Sequence, residues 1–456
     1  MPDDSAFPAA GMPPLDGDLL TASSARAPAA ADFGHLVHRM PLAVLRPGSV
    51  EDIAAMIRWA SASGKQLAAR GRGHSVYGRS QVDGGIVVDM SGHDGIGHVG
   101  RDRVVVDAGA TWRAVLARTL PARRTPPVLT NYLDLTVGGT LSVGGIGGTT
   151  NEHGMQTDHV LELEAVTGEG KVVTCSPSEN SGLFDSVRAG LGQFGIITRA
   201  TLALVPAPDR ARRYVLSYPD LEGLVAGQRH VLRDTRADHL QGAILPGGDR
   251  WQYQLEMVVF HPSDEPPNDA LVLDGLRDDR SRSEVEDISY EEYLELFDRF
   301  EHAQRSTGEW SRPHPWLTTF LPGSAAERVA RGVLRDLAPG ELGGLGRIML
   351  YPIDPRAVAT PLVRLPDEPV VFAFNLIRSG PQDADRIERM VEENRALYER
   401  VRDAGGCLYP VSALELTADD WAEHFGPLWP TVRRAKERFD PQHVLTPGYH
   451  PGAGGA

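Results

Sequence analysis

A chain of 456 residues is long enough for two domains or for one large one. Hydrophobic residues make up 41% and charged residues 23% of it, which is ordinary for a soluble globular protein. The net charge of -15 argues against nucleic acid as a partner, because phosphate binding requires a basic face. No window approaches the roughly 18 apolar residues of a membrane-spanning helix, so no membrane partner is expected.

The N-terminal region and the two cysteines predict a cytoplasmic protein. Residues 1–30 are rich in Ala, Pro and Asp, and we expect a disordered or loosely attached tail there. This region lacks the basic and apolar segments of a secretory signal. Cys175 and Cys407 have no metal-ligand spacing, so no metal site is predicted. A disulfide is possible in principle, but two unreactive thiols in a reducing compartment are favoured.

Strands and helices alternate in the first part of the chain. Residues 40–71 predict a strand, a turn, a helix and a second strand, with Ser49 as the helix N-cap. Residues 84–90 and 103–107 predict further strands, and a helix begins at about Trp112. This alternation with short turns indicates a domain of mixed α and β structure.

The remaining elements suggest a second α+β domain. Residues 159–176 predict a hairpin with its turn at 168–170, and 197–208 predict a strand. Beyond residue 209 the strand candidates are 212–219, 240–248, 251–260, 346–353 and 370–380, and the helix candidates are 290–306, 324–334 and 382–405. The chain ends in a helix and a Pro/Gly-rich tail.

Two glycine-rich segments interrupt this pattern. Residues 68–80, AARGRGHSVYGRS, place glycines on both sides of a histidine, and residues 136–150 hold six glycines and predict a loop rather than a stable helix. Such loops expose backbone N–H groups and let the chain approach a phosphate or a flat ring. Neither matches a Walker A loop or a Rossmann GxGxxG turn. Two structural turns are the alternative, but the pair in one domain favours a large anionic ligand.

Several motifs in collinear order resemble those of the FAD-linked oxidase superfamily that includes vanillyl-alcohol oxidase, and most closely those of cytokinin dehydrogenases. The motifs are ARGRGHSVYG, YLDLTVGGTLSVGGIGG, LFDSVRAGLGQFGIITRATLALVPAP, PHPWLTTFLP and RFDPQHVLTPG. The resemblance implies an α+β fold with a PCMH-type FAD-binding domain of two α+β subdomains at 31–208. A substrate-binding cap domain with a central antiparallel sheet flanked by helices would follow at 209–415, and residues 416–456 would return to the FAD domain.

The resemblance also implies FAD as the cofactor, with one covalent bond from His74 to the flavin 8α-methyl group. A neutral imidazole is a nucleophile near neutral pH. Taken in isolation, His74 would be interpreted as a surface-loop histidine, but its setting in the glycine-rich motif favours the flavin bond. No cysteine lies within 136–150, so a second bond is not expected. By the same carry-over, the other FAD-binding residues are Arg70, Gly71, Arg72, Gly73, Ser75, Thr136, Gly138, Gly139, Thr140, Ser142, Gly144, Gly145, Ile146, Ile196, Ile197 and Tyr449, with His450 and Pro451 beside them.

Two positions depart from the family pattern of the active site. The aspartate that precedes the second glycine-rich motif in cytokinin dehydrogenases is matched by Asn131, and the glutamate of their VEG motif is matched by Gln241. An amide cannot act as a base, so Asp134 is a third catalytic candidate, with a solvated carboxylate as the alternative. Segments that line the family's pocket carry Tyr132, His239, Trp251, Trp316, Phe374, Asn375 and Arg378, for which core packing is the alternative.

These observations predict an FAD-dependent oxidoreductase, either an oxidase or a dehydrogenase. It would move a hydride to flavin N5 from a C–N or C–OH carbon of a small, fairly apolar molecule such as a secondary-metabolite intermediate. The electron acceptor would be oxygen or a quinone-like molecule. One alternative is a cytokinin dehydrogenase proper, and another is a flavoprotein scaffold that catalyses a non-redox cyclisation.

Overall fold

The computed structural model describes residues 11–449. Its first sheet is four-stranded, with the strand order β1-β2-β4-β3. Its strands are β1 (Asp18–Leu20), β2 (Ala43–Arg46), β3 (Leu67–Arg70) and β4 (Ile86–Asp89), with helices α1 (Ser23–Arg26) and α2 (Val50–Ala62). Strand β4 runs parallel to both β2 and β3. Ser49 caps α2 as predicted, because its side chain accepts from the N–H of Asp52.

Residues 11–30, the described part of the predicted loose tail, are attached to the first sheet. Strand β1 pairs antiparallel with β2. The Asp52 carboxylate accepts from the N–H groups of Asp16 and Gly17, each at 2.8 Å. Composition alone indicated disorder here, since an edge strand of three residues has no sequence pattern of its own.

A second subdomain carries a five-stranded antiparallel sheet with the order β5-β6-β10-β8-β9. Its strands are β5 (Ile96–Val99), β6 (Arg103–Asp107), β8 (Val160–Val166), β9 (Val172–Cys175) and β10 (Ile196–Ala203). Beside it lie a two-stranded ribbon of β7 (Arg124–Thr125) and β11 (Val205–Pro206), and helices α3 (Trp112–Thr119), α4 (Val137–Leu141), α5 (Thr150–His153) and α6 (Ser181–Val187). The predicted hairpin is present as β8 and β9.

The glycine-rich segment at 136–150 is not the helix-free loop that was predicted. It contains the short helix α4, which tertiary contacts hold in place. The N–H groups of Val137 and Gly138 donate to the carbonyls of Ala110 and Ala108, both at 2.8 Å. Low intrinsic helix propensity is therefore overridden by bonds to a neighbouring segment.

The third unit is built on an eight-stranded antiparallel sheet with the order β15-β12-β14-β13-β17-β18-β16-β19. Its strands are β12 (Arg210–Tyr218), β13 (His239–Gly247), β14 (Arg250–His261), β15 (Glu284–Ser289), β16 (Leu317–Pro322), β17 (Arg347–Ile353), β18 (Val371–Ile377) and β19 (Cys407–Leu408). Its helices are α7 (Leu221–Asp234), α8 (Asp269–Val272), α9 (Tyr290–Leu294), α10 (Leu296–Ser306), α11 (Gly323–Asp336) and α12 (Ala384–Asp403). Helices α7, α11 and α12 pack on the sheet.

The chain then returns to the first subdomain through α13 (Ala418–Phe425) and α14 (Trp429–Phe439). The N–H of Leu67 donates to the carbonyl of Val444, and the N–H of Thr446 donates back to the carbonyl of Leu67, both at 2.7 Å. Cys175 and Cys407 are free thiols, and burial raises the pKa of each to about 12. No helix within residues 11–449 combines the length and the apolar character needed to cross a membrane.

Asp420 joins the returning segment to the third unit, the one built on the eight-stranded sheet, which is called the cap below. Its two carboxylate oxygens accept from the guanidinium of Arg395 on α12 at 2.8 and 2.9 Å. One of them also accepts from the N–H and the hydroxyl of Thr417, the N-cap of α13. The hydrogen bonds from Arg395 are the main reason why the pKa of Asp420 falls from 3.8 to about 2.

We expect Asp420→Asn to lower the free energy of unfolding by about 1–2 kcal/mol at neutral pH. A carboxyl group with a lowered folded-state pKa stabilises the fold above its unfolded pKa, so the difference from wild type should shrink as the pH falls from about 4 towards 2. Urea unfolding of the wild-type protein and the variant at pH 7 and at pH 3 measures the difference in the free energy of unfolding at each pH. A difference that stays constant with pH would contradict an ionic role for this carboxylate.

Candidate active site

A cavity of about 730 Å³ lies between the first two subdomains and the eight-stranded sheet. Its walls come from both glycine-rich segments, from β10, from the cap and from the C-terminal residues Thr446 and Tyr449. The volume is in the range of about 300–1,000 Å³ that is typical of ligand and cofactor pockets.

The first glycine-rich segment leaves β3 and follows the cavity wall. The backbone N–H groups of residues 71–75 donate to no acceptor in the described part of the chain. Gly73 has a φ of 65°, and a Cβ there would lie 2.2 Å from a guanidinium nitrogen of Arg70. Successive free N–H groups of this kind bind anions, and the glycine lets the buried arginine lie against them.

The second glycine-rich segment packs directly on the first. A Cβ on Gly71 would lie 2.1 Å from the hydroxyl of Thr136, so this glycine permits the contact between the segments. The N–H of Gly145 donates to the hydroxyl of Tyr409 at 3.1 Å. Tyr409 lies in the cap region, so this bond ties the glycine-rich segment to the cap.

Sixteen of the predicted cofactor residues line this cavity, and Gly144 does not. The sixteen are Arg70, Gly71, Arg72, Gly73, His74, Ser75, Thr136, Gly138, Gly139, Thr140, Ser142, Gly145, Ile146, Ile196, Ile197 and Tyr449. A Cβ on Gly144 would meet the sulfur of Met155 at 3.0 Å, so this residue turns the chain rather than lining the wall. His450 and Pro451 lie outside the described residues.

His74 stands in an aromatic cluster at the cavity wall. Its ring stacks on Phe33 with centroids 4.1 Å apart, and Phe33 stacks in turn on His314 at 4.1 Å. Tyr132 lies 4.8 Å from the His74 ring. Burial is the main cause that lowers the pKa of His74 to about 3, with contributions from His314 and Arg305. The imidazole is therefore neutral at physiological pH and makes no side-chain hydrogen bond within residues 11–449.

Asp32 holds the loop around His74 and was not identified from the sequence. Its carboxylate accepts from the hydroxyl of Ser75 at 2.9 Å and from the N–H of Gly78 at 2.6 Å. Two residues later, the carbonyl of Gly34 accepts from the N–H of His314 at 2.8 Å. One short segment thus connects the loop to the cap, through contacts that no local motif reveals.

Arg79 also escaped the sequence analysis, although it lies in the same glycine-rich segment. Its guanidinium donates to the carbonyls of Gly448 at 2.6 Å and Leu414 at 2.5 Å, and lies over the Tyr449 ring at 4.7 Å from its centre. The Tyr449 hydroxyl donates to the carbonyl of Pro410 at 2.9 Å. These bonds place the Tyr449 side chain against the cavity.

One face of the cap sheet forms the opposite wall. The lining residues alternate along the strands, as expected for a period of two. The alternating residues are Arg213 and Val215 on β12, His239, Gln241, Ala243 and Leu245 on β13, Gln254 and Glu256 on β14, Arg347, Met349 and Tyr351 on β17, and Asn375 and Ile377 on β18. Gly242 of β13 and Thr318 of β16 also border the cavity. Together with Asn131, Tyr132 and Trp316, the predicted residues His239, Gln241 and Asn375 are therefore at the cavity.

The alternation explains why two predicted pocket residues are absent from the wall. Phe374 precedes Asn375 directly, so its side chain points to the other face of the sheet, where it is fully buried. Trp251 lies an odd number of positions from Gln254 and Glu256 on β14, so its side chain also points to the other face. Its indole N–H donates to the carbonyl of Leu334. Both serve packing rather than the pocket.

Arg378 and Asp134 are also directed elsewhere. Arg378 is buried, and its guanidinium donates to Glu393 and Asn394 of α12, both at 3.0 Å. Asp134 accepts from Arg113 at 3.0 Å and does not line the cavity. Arg113 also binds Asp298, so Asp134 belongs to an ion-pair network between the domains and not to the cavity wall.

The two amides that replace the family's carboxylates contact each other. The side-chain N–H of Asn131 donates to the side-chain carbonyl of Gln241 at 3.1 Å. This bond uses one donor of Asn131 and one acceptor of Gln241, which leaves the Asn131 carbonyl and the Gln241 amino group for a ligand. The pair is uncharged at every pH at which the protein is folded.

A carboxylate missed by the sequence analysis lies next to this pair. Glu256 is the cross-strand partner of Gln241 on the cavity face, and it accepts from Arg213 at 2.5 Å. Burial acts to raise the pKa of Glu256, but His239 and Arg213 outweigh it, so the pKa is lowered and the group is ionised. His239 itself bonds to the Tyr293 hydroxyl at 2.8 Å, and burial lowers its pKa.

Two family models match the two parts of the chain that contribute most of this cavity. Residues 41–176 match the family model of an FAD binding domain, and residues 209–450 match the model "Cytokinin dehydrogenase 1, FAD and cytokinin binding". An uncharacterized oxidoreductase, ORF5 in the fasciation locus of Rhodococcoides fascians, is 39% identical and covers 92% of this chain and 96% of its own. Cytokinin dehydrogenase 10 of Oryza sativa subsp. japonica is 37% identical and covers 92% and 86%.

A solved structure shares the whole architecture. That of 6-hydroxy-D-nicotine oxidase from Arthrobacter nicotinovorans superimposes with a TM-score of 0.74 at 22% identity, over 95% of this chain and 97% of that one. At this identity the match shows the fold, and it confirms the predicted combination of an FAD-binding unit and a cap with an antiparallel sheet. The two family models and the relatives above go further: the chain belongs to the cytokinin dehydrogenase family of FAD-linked oxidoreductases.

Proposed function

We propose that this oxidoreductase removes a hydride from a C–N or C–OH carbon of a small, fairly apolar molecule, such as an intermediate of secondary metabolism. The observation that carries the proposal is the Asn131–Gln241 pair, which faces the cavity shared by the glycine-rich segments and the cap sheet. The pair offers one acceptor and one donor without charge. It therefore suits a neutral alcohol or an uncharged amine better than an ammonium group.

The residues of this chain fit FAD. The free N–H groups of 71–75, with Arg70 and Arg72 beside them, suit its pyrophosphate. Ile196 and Ile197 offer backbone and apolar surface to its other half. When bound, FAD supplies the hydride acceptor.

His74 would hold the cofactor by a single covalent bond in this proposal. The ring is neutral, lines the cavity and is free of competing hydrogen bonds. Phe33 stacks on one of its faces, which fixes the ring's orientation. Such a preoriented neutral imidazole is suited to act as a nucleophile.

Among residues 11–449, the cavity wall offers no carboxylate that is free to act as a base, so the proposed reaction must proceed without one. Glu256 is held by Arg213, and Asp134 lies outside the cavity. A lone pair on the substrate's own nitrogen or oxygen can drive loss of the hydride, so the residues of the pocket need only orient the carbon. The Asn131–Gln241 pair would orient it by hydrogen bonding to that heteroatom.

A cytokinin dehydrogenase proper is the second candidate, supported by the family model for residues 209–450 and by relatives of that name at 33–37% identity. The amides at 131 and 241 are the observation against it, because an N–H donor of the substrate loses its charged acceptor there. A scaffold for non-redox cyclisation is the third possibility.

Anaerobic mixing of the holoenzyme with substrate distinguishes these functions. We expect neutral alcohols and amines with an apolar body to bleach the flavin absorbance, and isopentenyladenine to do so at least about 10-fold more slowly. Rapid bleaching by isopentenyladenine alone would support a cytokinin dehydrogenase. Product formation without bleaching would support the non-redox scaffold. Admitting oxygen or a quinone to the reduced enzyme then identifies the electron acceptor.

A further inference from the structure

We propose that Arg347 forms a subsite for an oxyanion of the substrate, a carboxylate or a phosphate, at the end of the cavity remote from the Asn131–Gln241 pair. The inference builds on the proposed function, since it adds a charged end to the small, apolar molecule described above. It is specific to the cap, and it is separate from the anion-binding N–H groups of residues 71–75.

Arg347 is a cation on the cavity wall that forms no ion pair with any residue of the described range 11–449. It is the first residue of β17 and lines the cavity on the same face as Met349. Its guanidinium lies over the ring of Phe300, 4.1 Å from the ring centre. Within residues 11–449, no carboxylate is within ion-pair distance of Arg347, and its buried Nε has no hydrogen-bond partner.

Two other arginines of the cap, Arg213 and Arg378, have their charge compensated. Arg213 also lines the cavity, but it donates to Glu256 at 2.5 Å and to Glu286 at 2.6 Å. Arg378 donates to Glu393. Burial lowers the pKa of Arg347, and only the charge of Glu256, which Arg213 already engages, acts in the opposite direction. A buried cation without a partner is costly, so the position suits an anion supplied by a ligand.

The register of the sheet sets the distance between the two ends of the site. Ala243 of β13 pairs with Met349 of β17, so two residues further out Leu245 lies beside Arg347. Leu245 is four positions further along β13 than Gln241, which corresponds to roughly 13 Å between their backbone positions. A ligand that contacts both the amide pair and the side chain of Arg347 therefore lies along the strands of the cap sheet.

The surroundings of Arg347 match such a ligand. Phe297 and Phe300 of α10 provide an apolar wall. Arg299, on the same helix, also lines the cavity and forms no ion pair in the described part of the chain. An apolar body would lie along the phenylalanines, with its oxyanion at the arginines.

Binding of matched, unreactive probes to the holoenzyme tests the subsite through the flavin absorbance spectrum. One pair is 4-phenylbutyrate and 4-phenylbutyramide, and the other is 3-phenylpropyl phosphate and 3-phenylpropyl methyl ether. We expect at least one anion to bind about 10- to 100-fold more tightly than its neutral partner, and the preferred pair identifies carboxylate or phosphate. Equal dissociation constants in both pairs would overturn the proposal without any variant.

Arg347→Met should abolish the preference, Arg347→Lys should retain part of it, and Arg331→Met should leave it unchanged. Arg331 is an exposed cap arginine on α11 and serves as the matched control. An unchanged preference in Arg347→Met, or a loss of flavin from it, would refute the subsite. Because binding is measured without turnover, a preference in an enzyme that oxidises no alcohol or amine would leave the subsite standing while the proposed function fails.

Discussion

His74→Ala is expected to abolish covalent attachment of the flavin, so that the yellow colour moves from the acid-precipitated protein into the supernatant. In the wild-type protein the colour should stay with the pellet. The expectation rests on a neutral ring on the cavity wall, whose pKa burial lowers to about 3. The visible spectrum of pellet and supernatant after acid precipitation measures it directly.

His314→Ala is the matched control for this experiment. His314 belongs to the same stack on Phe33, but it does not line the cavity, and its Nε2 faces the carbonyl of Trp310 at 3.3 Å. The control should therefore keep the flavin in the pellet. Colour in the supernatant of the wild-type protein, fully supplied with FAD, would contradict the covalent bond while leaving the FAD site intact.

The low pKa of His74 makes the expected attachment independent of pH over the range in which the protein is handled. The ring carries a proton only below about pH 3, so the nucleophilic form is fully present throughout the range in which the protein can be handled. Attachment to apoprotein reconstituted with FAD should accordingly give the same final yield at pH 5 and pH 8. A yield that falls steeply below pH 6.5 would indicate an ordinary, solvated histidine.

The part of the cavity wall that comes from the glycine-rich segments was predictable from sequence because its residues are contiguous. Residues 70–75 and 136–146 are two continuous runs of sequence, so a motif identifies each of them as a whole. Asp32 could not be found in this way, since it binds Ser75 across 43 residues and lies in a stretch without periodicity. Its partner Gly78 belongs to the recognised loop, but no local pattern shows which acceptor its N–H requires.

The cap half was predictable only where strand periodicity was applied. Asn375 and Phe374 were both expected in the pocket, although neighbours on a strand face opposite sides. On β14 the same rule would have favoured Glu256 over Trp251 once one residue of the cavity face was known. On β17 it would have selected Arg347 together with Met349. Long-range register, which joins β13 to β17, is not contained in any local pattern.

Asn131→Asp is expected to change the substrate preference from alcohol towards amine. The introduced carboxylate would accept from the Gln241 amide after that amide turns, and would present a negative charge to the cavity. A charge-assisted hydrogen bond contributes about 1.5–3 kcal/mol, so the ratio of kcat/KM for benzylamine to that for benzyl alcohol should rise about 10- to 100-fold at pH 7. Anaerobic stopped-flow reduction of the flavin measures both values.

Asp134→Asn is the matched control, because Asp134 binds Arg113 outside the cavity and its loss should leave the ratio unchanged.

The double variant Asn131→Asp/Gln241→Glu tests whether the charge of the pair, rather than the shape of its side chains, sets the preference. Two carboxylates at a contact that now measures 3.1 Å cannot both ionise, so the pKa of one must rise. In the double variant, the ratio of kcat/KM for benzylamine to that for benzyl alcohol should therefore increase with pH more than it does in the single variant. An unchanged ratio in both variants would show that the amide pair does not contact the heteroatom of the substrate.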